Sequence, residues 1–295
     1  MLRYNKDKTT KLFYMAGYIM LVVLSAICLL PFWLIISGSF TKEDTILQNG
    51  YSILPTDFSL SAYKIIFVDP TIIIDAYKVS VTITIAGTLF GLFFISMTGY
   101  ALARKDLKYR NGISFFIYFV TLFNGGLIPW YILMTQYLKL TDNYLALILP
   151  GMIGPFNVIL MRSFLKSIPE EITESAKIDG AGDFRIYRSL ILPLARPGLA
   201  TIGLFLALGY WNEWLTASLY INTPSKFPLQ FYLYNIIQSA QFLRDMASRT
   251  SITFTLPSES LKMATAIVAT GPIIFLYPFV QKYFVKGLTV GSVKG

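Results

Sequence analysis

Histidine is absent from this sequence, and cysteine occurs once, at Cys28. Without histidine there is no imidazole general base and no His-ligated metal. One cysteine makes neither an intramolecular disulfide nor a multi-thiolate centre, and it leaves the redox compartment unreadable. Charge is scarce too: Asp, Glu, Lys and Arg together form 14% of 295 residues, against 55% hydrophobic. There is no GxxxxGK[ST] phosphate loop, GxSxG elbow, HExxH or CxxC. If ATP drives this protein, another chain binds it. No internal repeat or low-complexity segment is visible.

What is present is a series of apolar runs, each about 20 residues or longer and so able to cross the roughly 30 Å hydrocarbon layer as a helix. The composition and these runs predict an all-α membrane protein with six transmembrane helices, at about 12–37, 78–103, 112–136, 143–163, 198–220 and 263–282. The first run follows Lys6, Lys8 and Lys11 but is too long for a signal-peptide core and has no clear cleavage site, so it reads as a retained span. The plan is a short N-terminal segment (1–11) and one membrane domain (12–295), with no soluble domain between spans.

The net charge of +9 is read as loop asymmetry rather than nucleic-acid binding. Of 25 Lys and Arg, 17 fall in the N-terminus, the 104–110 turn, the 164–197 loop and the tail (283–295) with the span-end residues beside them. The positive-inside rule puts those segments and both termini in the cytoplasm. The loops at 38–77 and 221–262 then lie outside.

Within the spans, polar features are few. Gly87 and Gly91 form a GxxxG pair, suited to close helix packing within the subunit or at a homodimer face. Glu213 is the one carboxylate away from span ends, in the segment from Trp211 to Leu215. About 16 residues past Pro197, it falls near the outer interface, where Trp211 and Trp214 fit an aromatic belt. Alternatively, Asn212 and Glu213 line the mouth of a pathway and bond a polar solute. Spans three and four are interrupted at Asn124, Gly125, Gly126 and Pro129, and from Pro150 to Pro155. Such breaks free backbone groups tolerated only against protein or a water-filled cavity, so they are either the wall of a passage or kinks for packing. An ion-coupled transporter would carry carboxylates at mid-membrane. This chain has none there, which favours an external energy source and a neutral solute.

The 164–197 loop holds the densest pattern. Ser167 and Glu170 have capping-box spacing, and Pro169 suits a first turn. Ile168, Ile172 and Ala176 recur every four residues, with Glu174 and Lys177 on other faces. Gly180 and Gly182 end the helix, Asp183 can cap a second, and Leu192 and Pro193 close that one. A helix, a turn and a helix of this kind docks into a groove on a soluble partner or lies on membrane lipid head groups.

Glu174, Ala176, Gly180 and the Leu192-Pro193 pair resemble the EAA loop of ABC-importer membrane subunits: Glu-Ala-Ala, three residues, Gly, nine residues, Ile-x-Leu-Pro. Ser175 replaces the middle Ala, and Leu190 stands where Ile is usual. The stretch from Gly99 to Arg104 (GYALAR), the Trp211–Leu215 segment and the tail YPFVQKYFVKGLTVGSVKG resemble the carbohydrate branch, in particular the smaller membrane subunit of maltose and oligosaccharide importers. The similarity spans about residues 12–295. It implies a type I ABC importer transmembrane domain of the bacterial cell membrane with no catalytic site of its own. The implied partners are a second, related permease subunit in a heterodimer, two copies of a cytoplasmic ATPase that binds ATP and Mg2+, and an extracytoplasmic solute-binding protein. Glu174, Ser175, Ala176, Asp179, Gly180 and Ala181 would belong to the ATPase-coupling helix and its turn. Asn124, Gly125, Pro129, Trp211, Asn212 and Glu213 are the translocation-path candidates from the residue pattern. Rival readings are an ABC importer for another small solute and an integral-membrane enzyme acting on lipid-linked glycans. The enzyme needs clustered carboxylates or a nucleophile at one interface, and the acids here are scattered.

Overall fold

The computed structural model describes residues 8–123, 125–250 and 258–274. Among them the structure is helical, with one isolated bridge between Thr41 and Phe58 and no sheet. In chain order the helices are α1 (Lys8–Ser39), α2 (Glu43–Asn49), α3 (Ser61–Ile66), α4 (Pro70–Ala103), α5 (Arg110–Leu122), α6 (Leu127–Ile132), α7 (Leu145–Met152), α8 (Pro155–Lys166) and α9 (Glu171–Ile178). They continue with α10 (Asp183–Leu194), α11 (Arg196–Trp211), α12 (Leu215–Tyr220), α13 (Leu229–Thr250) and α14 (259–274).

Two helices, Phe13–Ser39 within α1 and α4, are each long and apolar enough to cross a membrane. Counting the bent pairs α5 with α6, α7 with α8, and α10 with α11 as one span each brings the total to five. The expected sixth span corresponds to α14, and its residues 275–282, like the tail, lie outside the described residues.

Several boundaries differ from the sequence expectation. The second span begins at Pro70 rather than 78, because Asp69 caps it: its carboxylate accepts from the Thr71 amide at 3.0 Å, and Pro70 fits the first helical position. The fifth is not continuous over 198–220. It stops at Trp211, and α12 follows after a short break. The segments expected as outer loops carry α2, α3 and the 22-residue α13.

The chain divides into two compact units, residues 1–68 with 235–271, and 69–234 with 272–295. In the second, α4 is the central element. Its buried positions Ile73, Ala76, Ser80, Ile83, Gly87, Gly91, Ile95, Gly99 and Leu102 recur every three or four residues, forming one continuous stripe. Helices α11, α8 and α7 pack on this stripe. The small residues decide how close they come. Gly87 faces the Tyr210 ring so tightly that a Cβ there has no room, and Gly91 faces Leu206 and the Met152 carbonyl. The GxxxG pair thus packs inside the chain. The Tyr210 hydroxyl donates to the Ile148 carbonyl at 2.7 Å, satisfying a backbone acceptor in the last turns of α7 next to the span-four break.

In the first unit, Glu43 is buried, at 5% exposure. Its carboxylate accepts from the Glu259 and Ser260 amides at 3.0 Å and from the Ser258 and Ser260 hydroxyls. It thereby satisfies the free amides at the start of α14 from a distant part of the chain.

Candidate coupling site

The loop that joins α8 to α11 contains two helices and one closed turn. Asp179 ends α9, and Gly180 follows at φ +78°. The Gly180 amide donates to the Lys177 carbonyl at 3.0 Å and the Ala181 amide to the Ala176 carbonyl at 2.9 Å. This is the paired-bond Schellman closure, which requires a left-handed residue where glycine sits. The expected stop at Gly180 therefore has its physical reason. The expected start does not hold: Ser167 donates its hydroxyl to the Phe164 carbonyl at 2.7 Å, closing α8 rather than capping α9. Pro169 lies outside the helix, and Glu170, the residue before α9, has no capping bond. Asp183 is the first residue of α10, not its cap; Gly182 occupies the cap position.

The α9 face that carries Ala176 is buried in the core of the second unit, with Ala181 packed beside it. On the other side Glu174, Ser175, Lys177, Ile178 and Asp179 are exposed. Ile178 is 86% exposed, an apolar side chain at the tip of an otherwise polar element.

What fixes this loop is the turn that follows α4. Arg104 is mostly buried and pairs with Asp106 in its own turn and with Asp183 at the start of α10, the latter at 2.5 Å. Lys177 of α9 reaches Asp106 at 3.1 Å, and Lys105 reaches Glu170 at 2.5 Å. Both loop helices are thus held by ion pairs to the end of the central span. Arg104 and Lys177 keep the Asp106 carboxyl well below the ordinary aspartate range, and hydrogen bonding to Asp106 and Asp183 raises the Arg104 guanidinium against the cost of burial. Glu170 raises the Lys105 ammonium. A cavity of about 820 Å³ opens between the turn and α9, lined among others by Tyr100, Arg110, Lys166 and Glu174. Deeper, the Tyr187 hydroxyl of α10 and the Ser96 hydroxyl of α4 lie 2.6 Å apart.

In the sequence Arg104 and Lys105 read as topology signals, without partners. The available sign was an Arg-x-Asp in a turn, with carboxylates and a lysine of matching charge on the loop.

The path candidates fall in two places. Gly125 lies in the exposed break before α6 and Pro129 within α6, while Asn124 lies outside the described residues. Trp211 is buried, with its ring 6.4 Å from Tyr77. Asn212 is exposed. Glu213 accepts from the Thr216 amide at 2.7 Å, so one of its carboxylate oxygens holds the start of α12. Tyr131 of α6 stacks on Tyr220 of α12, with ring centroids 5.7 Å apart, so the helix that holds Pro129 touches the one that follows Glu213. Nearby, Asp142 accepts from the amides of Asn222 and Thr223 and from Lys226 at 2.8 Å, pinning the turn before α7 to the chain after α12.

Residues 4–290 match the model of the family described as binding-protein-dependent transport system inner membrane component. The polygalacturonan/rhamnogalacturonan transport system permease protein YtcP of Bacillus subtilis (strain 168) is 41% identical over 285 residues, 97% of this chain and 99% of that one. The arabinooligosaccharides transport system permease protein AraQ of Halalkalibacterium halodurans is 29% identical over 98% of this chain and 100% of its own length. Among solved structures, a bacterial ABC transporter involved in import of the acidic polysaccharide alginate superposes with a TM-score of 0.77 at 31% identity, covering 94% of this chain and 98% of that one.

Proposed function

We propose that this chain, which belongs to the binding-protein-dependent transport system inner membrane component family, is the permease subunit of an ATP-driven importer of a sugar or oligosaccharide. The observation that carries the coupling role is the pair of loop helices clamped by Arg104, Asp106, Lys105 and Lys177 to the end of the central span, with Glu174 and Ile178 left exposed. A displacement applied to α9 is carried to α4 by charges and packing together rather than lost in a flexible loop.

In this reading the 164–197 loop and both termini are cytoplasmic. Glu174, Ser175, Ala176, Asp179, Gly180 and Ala181 form the element that seats in a groove of an ATPase, which supplies ATP and Mg2+ binding. A second permease subunit completes the pathway, and an external binding protein delivers the solute. ATP-driven closure of the ATPase moves the docked helix, and the membrane halves rock around the broken spans. Gly125, Pro129, Asn212 and Glu213 stand near the pathway, with Glu213 also holding α12. Trp211 supports that wall from the core side.

Carbohydrate as the solute rests on the names of the similar permeases YtcP and AraQ. A second, narrower reading is an acidic sugar. The alginate importer favours it, while the lack of mid-membrane charge favours a neutral one. The test is purification of the tagged chain from its native membrane, followed by uptake of neutral and uronate oligosaccharides into vesicles holding the recovered assembly. ATP-dependent uptake of either sugar class supports the importer. Recovery without an ATPase, even after cross-linking through a cysteine at Glu174, removes it.

A further inference from the structure

Helix α10 meets α11 at 82°, so if α11 crosses the bilayer, α10 runs nearly in the membrane plane. One face of α10 is fully engaged: Ile186, Tyr187 and Ile191 are buried, and Tyr187 is hydrogen-bonded to Ser96 of α4. The opposite face carries Arg185 and Arg188, three residues apart and both exposed, flanked by Phe184 and Leu194 at 59% and 50% exposure. Arg196 follows at the bend.

These three cations differ from those that tie the loop to the end of α4. Arg104, Lys105 and Lys177 all hold carboxylates, whereas Arg185, Arg188 and Arg196 hold none among the described residues. Unpaired guanidinium groups on an exposed face, mixed with an exposed phenyl and a leucine, on a helix lying flat at the end of a span, match the chemistry of an anionic interface: charge for the head groups and apolar side chains for the acyl boundary. We propose that α10 and the adjoining end of α11 form a binding face for anionic phospholipid head groups, through Arg185, Arg188 and Arg196. The two loop helices then divide the work, α9 presenting its tip to a soluble partner while α10 rests on the leaflet. The proposal requires membrane insertion but not the sugar assignment or the ATPase, so it stands or falls separately from them.

The test places a bimane label at Ser189→Cys in a Cys28→Ser background, within the whole purified assembly reconstituted in phosphatidylcholine vesicles. Brominated phosphatidylglycerol and brominated phosphatidylcholine are titrated as quenchers. The expected result is half-quenching at a mole fraction roughly fivefold or more lower for phosphatidylglycerol, the preference for about one engaged cation or more, and shrinking as salt is raised. Combining Arg185→Gln and Arg188→Gln should bring the two curves together, while Lys139→Gln leaves them apart. Should the double variant fail to assemble, the salt dependence of the unsubstituted face decides. Identical curves for both lipids overturn the proposal. So does a label that neither lipid quenches, which means that protein covers this face.

Discussion

Lys177, in the first helix of the 164–197 loop, and Asp106, in the turn after the central span, are joined by an ion pair of 3.1 Å across 71 positions of sequence. Asp106 is shared with Arg104, and Arg104 with Asp183, so three segments meet at two side chains. Removing one partner loosens a mechanical joint while leaving the fold. Exposed pairs contribute about 0.2–1 kcal/mol each. Asp106→Asn is therefore expected to lower the melting temperature of the purified chain only slightly and to reduce ATP-driven uptake tenfold or more. Uptake at the unsubstituted level would count against the joint.

The same pair sets a pH window. The folded-state value of Asp106 lies below the ordinary 3.8, so its stabilising contribution is complete above that value and is lost as pH falls below it. Hydrogen exchange of the α9 amides should therefore be unaffected by titration of this group over roughly pH 5–8, and protection should drop only at lower pH.

Gly180 holds the Schellman turn at φ +78°, where a side chain costs about 1–2 kcal/mol. Gly180→Val is expected to fray the end of α9 and to weaken pull-down of an ATPase. Gly182→Ala, at φ −70° with open space around it, should do neither. Equal losses in both variants would point to bulk rather than backbone conformation.

Gly87 and Tyr210 fit one another as notch and ring. Gly87→Leu should destabilise the protein by about 1–3 kcal/mol through overpacking. Tyr210→Phe, which removes only the hydroxyl to Ile148, should cost about 0.5–1.5 kcal/mol. Thermal unfolding in detergent compares them, and an effect of Gly87→Leu smaller than that of Tyr210→Phe would contradict the packing.

Glu43 is the buried acceptor for the start of α14. Glu43→Ala leaves those amides unpaired, at a cost of about 1–3 kcal/mol. Limited proteolysis around residues 258–262 should accelerate in that variant, and unchanged cleavage would show that the carboxylate is dispensable.

The sequence by itself determined the all-helical membrane class, the approximate position of the spans, the break at Pro150–Pro155 and the helix, turn and helix of the 164–197 loop. Each is written in local signals: apolar runs of fixed length, a proline that cannot donate, a glycine where the backbone turns left-handed. Tertiary structure decided what those elements touch. The Glu43 carboxylate, 216 positions away in sequence, accepts from the Glu259 amide at the start of α14. Arg104 reads in the sequence as a mark of topology, and it pairs with Asp183 of α10, 79 positions away. The reason is range. Hydropathy and turn chemistry act within a few residues and survive in any context, whereas an ion pair or a capping bond forms with whichever partner the packed helices bring within about 3 Å, and that partner is set by the fold as a whole.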